Sequence, residues 1–171
     1  MKTGDAVRVG VLTISDQGAQ GRRADTSGDA IVKWSMAKRY EIVVRSIVPD
    51  ESSLIAGKLA RWADSGAVDV ILTTGGTGLT ARDVTPEATA AVLEREAPGI
   101  AEALRAGPAR RFPRAWLSRG RAGTRGKTLI VNLPGSTGGV ADGLAVLAGL
   151  LDHAVQLMRG HATDHSDRGD A

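Results

Sequence analysis

The sequence predicts an α/β fold in which a mostly parallel sheet is covered by helices on both faces. Short apolar runs that are rich in β-branched residues alternate along the chain with segments of helical apolar spacing. Such alternation is typical of parallel sheets, whose crossover helices bury both faces. The chain has 171 residues, of which 42% are hydrophobic and 24% charged. This length and composition favour one domain over residues 1–171.

The first half of the chain begins with a buried strand over residues 7–14, which ends at Ser15 and Asp16. A polar loop over 17–27 leads to a helix over 28–40, and a second strand over 41–48 stops at Pro49. The next helix is predicted over 51–65, with Asp50 in the N-cap position. A third strand follows over 68–74.

The second half opens with a helix predicted over residues 85–96, because Thr85, Pro86 and Glu87 form a typical helix start. A short helix is expected over 98–107. The segment 110–125 is ambiguous, with a candidate strand at 115–118. The remaining elements are a buried strand over 128–132, a turn over 133–139, a long helix over 140–158 and a polar tail over 161–171, so that the folded core spans 6–160.

Composition excludes several classes of function. The chain has no cysteine, which excludes disulfides, thiolate metal sites and cysteine nucleophiles. Aromatic residues make up 3% and do not cluster, so a base-stacking surface for nucleic acid is not expected. No run approaches the ~20 apolar residues of a membrane span, and the first residues do not resemble a signal peptide. We therefore expect a cytoplasmic protein that binds neither nucleic acid nor membrane.

Charge is distributed unevenly along the chain, although its net value is only +3. Residues 103–141 contain no acidic side chain. Such an interval attracts polyanions or small phosphorylated ligands, but a solvated basic surface explains it equally well. Its basic residues are Arg105, Arg110, Arg111, Arg114, Arg119, Arg121, Arg125 and Lys127.

Four polar segments follow the ends of the predicted strands. In an open parallel sheet, ligands bind beyond the carboxyl ends of the strands, so these segments are expected to share one edge. The segments are Ser15-Asp16, Pro49-Asp50, Thr73 to Gly78, and Asn132 to Ser136.

Two of these segments contain glycine and are candidate anion sites. The run from Gly75 to Gly78 lets backbone N–H groups approach an anion, and Thr74 and Thr77 add hydroxyl groups. A tight turn required by the fold is an equally good explanation. The run from Pro134 to Ser136 precedes a helix and could bind a phosphate, or Ser136 could simply cap that helix.

Asp50 and Asp83 are the candidate metal ligands. Mg²⁺ commonly takes one or two carboxylates and fills its other positions with water and substrate phosphates. Each aspartate also has a purely structural explanation. Without further context, the sequence favours that explanation over a metal site. Asp50 would be an N-cap, and Asp83 would form a salt bridge with Arg82 or another arginine.

A longer pattern gives these residues a context. The run Leu72-Thr73-Thr74-Gly75-Gly76-Thr77-Gly78-Leu79-Thr80-Ala81-Arg82-Asp83-Val84-Thr85-Pro86-Glu87 closely resembles the signature of the MogA/MoaB family of molybdenum cofactor biosynthesis. Further similar segments occur in the family's order over residues 6–160: Thr13 to Asp16, Val48 to Glu51, Leu117 to Arg119, Ala122-Gly123, and Leu129 to Ser136. The chain departs from the family at Thr137 to Gly139, where a proline and then a polar or basic residue are common.

The resemblance implies a three-layer α/β fold and assembly into a homotrimer or hexamer. It also implies Mg²⁺-dependent transfer of AMP from ATP to molybdopterin, with release of pyrophosphate. Asp50 and Asp83 would then be the catalytic and metal-binding residues. The alternative is a non-catalytic molybdopterin-binding protein. The expected substrate-binding residues are Ser15, Asp16, Thr74, Gly75, Gly76, Thr77, Gly78, Ser118, Arg119, Pro134, Gly135 and Ser136.

Overall fold

A six-stranded sheet with helices on both faces forms the protein, as seen in a computed structural model that describes residues 6–160. The strands are β1 (Arg8–Ile14), β2 (Glu41–Val48), β3 (Val70–Thr74), β4 (Arg95–Glu96), β5 (Ala122–Arg125) and β6 (Thr128–Leu133). The α-helices are α1 (Asp16–Ala19), α2 (Thr26–Ala37), α3 (Ser52–Asp64), α4 (Thr85–Ala90), α5 (Pro98–Ala109), α6 (Thr137–Leu147) and α7 (Leu151–Arg159). The predicted three-layer α/β fold is therefore confirmed, whereas the tail predicted over 161–171 lies outside the described residues.

Four parallel strands end at one level of the sheet. The strand order is β2-β1-β3-β6-β5-β4, and the first four are parallel neighbours. Ile14 pairs with Val48, and Thr74 pairs with both Thr13 and Leu133. The four polar segments that follow these strands consequently begin along the same edge, as the sequence predicts.

The hydrophobic core has one part on each face of the sheet. Val9 and Val11 of β1 point toward α2, α6 and α7, whereas Leu12 and Ile14 pack with α3 and α4. Strands β3 and β6 are buried along their whole length. Burial on both faces explains why these strands appear in the sequence as continuous apolar runs.

The antiparallel edge of the sheet was not predicted. Strand β5 folds back on β6 through a turn at Gly126, and the two-residue β4 pairs with β5. The helix predicted over 85–96 is shorter than expected and ends at Ala90. The chain joins the sheet soon afterwards, where Glu94 N donates to Thr124 O of β5.

Two helix starts also differ from the prediction. Helix α2 begins at Thr26 rather than at residue 28, because the Asp25 side chain accepts a hydrogen bond from Gly28 N and caps the helix. Helix α1 is a single turn within the predicted polar loop, and the Ser15 hydroxyl caps it by accepting from Gly18 N.

The strand predicted at 115–118 is wrong. Pro113–Leu117 forms a 3₁₀ helix, in which Ala115 N donates to Phe112 O and Ser118 N donates to Ala115 O. Proline at the first position supports this helical turn because its φ is already helical and its missing N–H has no role there. The preceding helix α5 also extends two residues past its predicted end, to Ala109.

The long helix predicted over 140–158 is also wrong, because it is two helices separated at residues 148–150. Gly149 lies in this break, where glycine weakens a helix by about 1 kcal/mol relative to alanine. Within residues 6–160, no single helix has the length and apolar composition to cross a membrane. Helices α6 and α7 reach this length and apolar composition only when they are counted together, and the pair is bent by 58°.

Asp69 joins the amino-terminal ends of three strands. Its carboxylate accepts hydrogen bonds from Arg8 N at 2.9 Å and from the guanidinium groups of Arg8 and Arg159. Its backbone carbonyl accepts from Leu129 N. The residue is 4% exposed. Burial alone would raise the pKa of Asp69, but the hydrogen bonds from the two arginines lower it to about 2.

We expect Asp69→Asn to lower the free energy of unfolding by about 2–4 kcal/mol at neutral pH, because it leaves two arginines without their counter-charge. Folding lowers the pKa of Asp69 to about 2. The carboxylate thus stabilises the folded state above the unfolded pKa, and that contribution is lost as the pH falls from about 4 to about 2. Urea unfolding across this pH range should show the loss in the wild type and its absence in the variant.

Asp64→Asn is the matched control, because it removes an exposed ion pair with Arg125. The control should change stability far less than Asp69→Asn. Equal losses in the two variants would contradict a special role for Asp69.

Candidate active site

The turn that follows β3 depends on two glycines with positive φ. Gly75 has φ of 100° and Gly76 has φ of 66°. A Cβ atom at Gly75 would lie 2.2 Å from Ile14 O, and one at Gly76 would lie 2.3 Å from Thr85 Oγ1. The Thr85 hydroxyl donates to Gly75 O at 2.9 Å and so fixes the turn to the start of α4. Both backbone conformation and space therefore require glycine here.

A second turn, residues 134–136 after β6, packs directly against the first. A Cβ atom at Gly135 would lie 3.2 Å from Gly75 Cα, and the Thr74 hydroxyl donates to Pro134 O at 2.7 Å. Ser136 caps α6 by accepting from Gly139 N at 3.0 Å. The capping explanation for Ser136 is thus confirmed. The cap also places the positive end of the α6 dipole at the junction of the two turns.

Asp50 is bound to the end of β1 by a reciprocal pair of hydrogen bonds. Asp16 N donates to Asp50 Oδ2 at 2.9 Å, and Asp50 N donates to Asp16 Oδ1 at 3.0 Å. Arg82 forms an ion pair with the Asp16 carboxylate. The N-cap explanation for Asp50 is wrong, because Glu51 occupies the cap position of α3. The Asp50 side chain is instead held at the sheet edge.

Asp83 closes the loop that follows the glycine turn. Its carboxylate accepts from Thr80 N at 2.8 Å and from the Thr80 hydroxyl at 2.6 Å. The salt bridge expected between Asp83 and Arg82 is wrong, since Arg82 binds Asp16. Burial acts to raise the pKa of Asp83, but the hydrogen bonds from Thr80 and Gly78 outweigh it and lower the pKa.

The two carboxylates lie next to one short stretch of backbone, residues 76–78. A Cβ atom at Gly76 would be 3.3 Å from Asp50 Oδ1, and one at Gly78 would be 2.9 Å from Asp83 Oδ2. Burial raises the pKa of Asp50, and the negative charges of Asp16 and Asp83 raise it further. The edge of the sheet thus concentrates negative charge that a cation would neutralise.

The larger cavity at this edge has a volume of about 570 Å³. Its floor is formed by the two turns, Asp83, Ser118 and Asn132. Its walls come from α5, the 3₁₀ helix and α6, and are apolar at Leu104, Phe112 and Leu117. Three arginines of the basic interval also line it: Arg105, Arg111 and Arg114. The size and the lining of apolar side chains, backbone turns and arginines suit a small molecule that carries negative charge.

A second, smaller cavity of about 410 Å³ lies on the other side of the glycine turn. Asp50, Ser15 and Thr74 line it, together with Arg23 and the first turn of α2. The two cavities share three wall residues: Gly76, Gly135 and Ser136. Two ligands bound in these cavities would therefore approach each other across a wall built mainly of glycine.

Twelve of the fourteen predicted site residues line one or both of these cavities. The exceptions are Asp16 and Arg119. Asp16 exchanges hydrogen bonds with Asp50, as described above. The Arg119 guanidinium donates to Gly78 O at 2.7 Å and to Asp83 O at 2.6 Å, and it pairs with Glu87.

The residues missed by the sequence analysis lie mainly on the helical walls. Leu104 lies in a segment that was expected only to be a short helix, and Phe112 and Leu117 lie in the ambiguous segment 110–125. Phe112 and Leu117 are each 54% exposed and line the same cavity, and an exposed apolar patch of this kind often marks a binding site. The run from Phe112 to Leu117 matches neither helical nor strand spacing, and this mismatch is the signal that could have identified it.

Metal binding at this edge would rest on two carboxylates and the ligand. Among residues 6–160, no group of three or more His, Cys, Asp or Glu side chains is close enough to hold a metal ion. Carboxylate oxygens suit hard cations such as Mg²⁺, which often binds one or two of them together with substrate phosphates and water. The donors present therefore fit Mg²⁺.

The chain is similar to known proteins along most of its length. Residues 10–153 match the family described as "Probable molybdopterin binding domain". The Molybdopterin adenylyltransferase of Helicobacter pylori is 36% identical over 159 residues, which cover 91% of this chain and 89% of that protein. The Molybdenum cofactor synthesis protein cinnamon of Drosophila melanogaster is 42% identical over 156 residues. This match covers 90% of the chain but only 26% of the Drosophila protein.

Solved structures show the same fold. The molybdopterin biosynthesis enzyme MoaB of Thermus thermophilus superposes with a TM-score of 0.85 at 48% identity, covering 90% of this chain and 97% of that one. The molybdopterin biosynthesis Mog protein of Mycobacterium ulcerans gives a TM-score of 0.84 at 39% identity, covering 90% and 99%.

We expect Gly75→Ala to lower the free energy of unfolding by about 2 kcal/mol or more, because alanine is strained at this φ and its Cβ would collide with Ile14 O. Chemical denaturation measures the change. The matched control is Gly57→Ala on the exposed side of α3, where a Cβ atom meets nothing within 4 Å. The control should gain about 0.5–1 kcal/mol. A neutral Gly75→Ala would contradict the geometry of the turn.

Proposed function

The chain belongs to the family of molybdopterin binding domains, and we propose that it transfers AMP from ATP to molybdopterin, with release of pyrophosphate. The observation that carries this proposal is the position of Asp50 and Asp83 next to the same stretch of backbone, residues 76–78. Each carboxylate lines a different cavity, and the two cavities share a wall. Such a site can hold two phosphorylated substrates with their phosphates close together.

The names of relatives support the same reaction. The Helicobacter pylori relative, which this chain matches over 89% of its length, is named as a molybdopterin adenylyltransferase. The chain spans about a quarter of the Drosophila protein, whose name gives only molybdenum cofactor synthesis. The names of both relatives thus concern molybdenum cofactor biosynthesis. AMP transfer is the specific reaction that we propose for this chain.

Asp50 and Asp83 would hold Mg²⁺ together with ATP phosphate oxygens. When bound, the ion supplies positive charge that offsets the charge developing on the phosphates. Asp50 fits this role because burial and the nearby charges of Asp16 and Asp83 raise its pKa, so that a bound cation would stabilise its charged form. Asp83 fits because hydrogen bonds from Thr80 orient its carboxylate.

The chemistry requires little from protein acids and bases. A phosphate oxygen of molybdopterin attacks the α-phosphorus of ATP, and the bond from that phosphorus to the departing pyrophosphate breaks. The phosphate nucleophile is already ionised near neutral pH, so no general base is required. Positioning and charge neutralisation then dominate the catalysis. This explains why a site without histidine or cysteine suffices.

The polar groups at the shared wall are suited to hold the reacting phosphates. Helix α6 begins there, with Ser136 at its N-cap, and the positive end of its dipole favours an anion. Gly76 and Gly135 let phosphates approach the backbone closely. Arg105 and Arg114 add positive charge to the larger cavity and would attract both anionic substrates, whereas the charge of Arg111 is paired with Asp142.

A non-catalytic molybdopterin-binding protein is the second candidate. The observation that favours it is the first turn of α6, where Thr137, Gly138 and Gly139 lie next to Ser136. A Cβ atom at Gly138 would meet nothing within 4 Å, so a ligand contact that a larger side chain could make is absent. This candidate retains pterin binding but not AMP transfer.

Assembly into a homotrimer or hexamer is part of the proposal, as the family resemblance implies. The exposed apolar side chains of the described surface include Met36 at 66% and Leu157 at 48%. Contacts between copies would bury such side chains and gain about 25 cal/mol per Å². Sedimentation or light scattering gives the mass directly.

We expect Asp50→Asn and Asp83→Asn each to reduce AMP transfer on the order of 100-fold or more, because each removes a negative charge that binds Mg²⁺. Asparagine keeps an oxygen that can accept the hydrogen bond from Asp16 N, so Asp50→Asn should fold. Pyrophosphate release with molybdopterin, ATP and Mg²⁺ measures the activity, and circular dichroism checks folding.

Asp64→Asn is the control, since Asp64 forms its ion pair with Arg125 and lines neither site cavity. It should retain wild-type turnover. Undiminished pyrophosphate release from both Asp50→Asn and Asp83→Asn would remove these carboxylates from the reaction.

A calorimetric titration of the wild type should show molybdopterin binding, and addition of ATP with Mg²⁺ should then release pyrophosphate. Binding without pyrophosphate release would favour the non-catalytic candidate. Failure to bind molybdopterin would refute both candidates.

A further inference from the structure

Arg119 makes an unusual set of contacts for an arginine of the basic interval. It lies between the 3₁₀ helix and β5, and its backbone N donates to Thr77 O at 2.9 Å. Its side chain donates to Gly78 O at 2.7 Å and to Asp83 O at 2.6 Å. Its remaining ion pair is with Glu87 on α4. All of these partners belong to the segment that carries Asp83.

The Asp83 loop, residues 78–83, has few other tertiary contacts. Residues 79–82 are exposed, and Leu79 is 65% exposed despite its apolar side chain. Within the loop, Thr80 binds the Asp83 carboxylate, and Asp83 N donates to Thr80 O at 3.0 Å. These local bonds fix the shape of the loop, whereas Arg119 attaches both of its ends to the rest of the protein.

Arg82 is a second attachment of the loop to the rest of the protein. Its Nη2 atom donates to the two carboxylate oxygens of Asp16 at 2.7 and 2.8 Å. Asp16 in turn bonds to Asp50. This connection is exposed, because the Arg82 side chain is 61% accessible. Such a surface pair contributes little on its own. The half-buried Arg119 is therefore the stronger of the two attachments.

Arg119 is also poorly placed to bind a substrate. It does not line the larger cavity. It lines a neighbouring cavity of about 370 Å³ with Pro86 and Glu87, which adjoins the larger one at Ser118 and Gly120. Its charge is already paired with Glu87, and its Nε and Nη2 atoms are engaged with carbonyl oxygens. The planar guanidinium holds the two carbonyl oxygens in a fixed geometry through donors on separate nitrogen atoms, whereas the three donors of a lysine ammonium all lie on one nitrogen and impose no such geometry.

We infer that Arg119 is a positioning residue, which holds the Asp83 loop against the glycine turn through its contacts with Gly78 and Asp83 and so sets the place of the Asp83 carboxylate. The effect of this positioning on catalysis rests on the proposed function. The residue acts through Asp83 and not through contact with ATP or molybdopterin. Glu87 serves mainly to neutralise the guanidinium and orient it.

The experiment compares Arg119→Gln and Arg119→Lys with Arg121→Gln as the matched control. Arg121 lies two residues along the same segment and pairs with Glu96, away from the loop. Steady-state pyrophosphate release gives kcat and the KM values for ATP and molybdopterin. Amide hydrogen exchange of residues 78–83, measured without substrates, reports the attachment of the loop independently of activity.

Both Arg119 variants should lower kcat by about 10- to 100-fold, because a small displacement of a catalytic group is costly. The KM values should change by less than about 3-fold, since uniform substrate binding is retained. Exchange of residues 78–83 should become about tenfold faster or more in both variants, with the rest of the protein unchanged. Arg121→Gln should match the wild type in all three measurements.

Two results would overturn the inference. If Arg119→Gln raised KM, Arg119→Lys restored it and loop exchange stayed unchanged, Arg119 would be a charge that contacts substrate. If exchange rose throughout the protein, its role would be general stability. If the wild type released no pyrophosphate, the proposed function would fail, and the exchange measurement would still decide whether Arg119 holds the loop.

Discussion

The contact between the turn after β3 and the turn after β6 is the constraint on which the whole site depends. The two turns approach so closely that a side chain at Gly135 would meet the Gly75 backbone, and a side chain at Gly75 would in turn meet Ile14 O at the end of β1. This contact exists because β3 and β6 are parallel neighbours in register, with Thr74 opposite Leu133. A parallel pair brings both carboxyl ends to the same edge, and glycine lets the following chain segments touch.

The carboxylates are arranged around this contact by different means. Asp50 is held by an exchange of hydrogen bonds with Asp16, which links the ends of β1 and β2. Asp83 is held by Thr80 within its own loop. Each arrangement leaves negative charge near the turn, and burial of Asp50 raises its pKa. A folded protein tolerates such a concentration of charge where a cation or a cationic group offsets it.

Much of this organisation could be predicted, but the walls of the cavities could not. The glycine run and the run from Pro134 to Ser136 were candidates because local spacing marks strand ends, turns and helix starts, whereas the roles of Asp50 and Asp83 were expected from the family resemblance. Phe112 and Leu117 were missed because a 3₁₀ helix has no strong sequence period. Arg119 was expected to contact substrate from its charge and from the family resemblance, whereas the hydrogen-bond partners of its side chain lie 32 to 41 residues earlier in the chain.

The sequence by itself determined the α/β class, the four parallel strands and the residues at their carboxyl ends. These features follow from short-range patterns of burial and backbone preference, which act over a few residues. Only the tertiary structure decided which strands are neighbours, that Asp50 bonds to Asp16 instead of capping a helix, and that the predicted long helix breaks into α6 and α7. These outcomes depend on contacts between distant segments, where packing and charge pairing outweigh local preference.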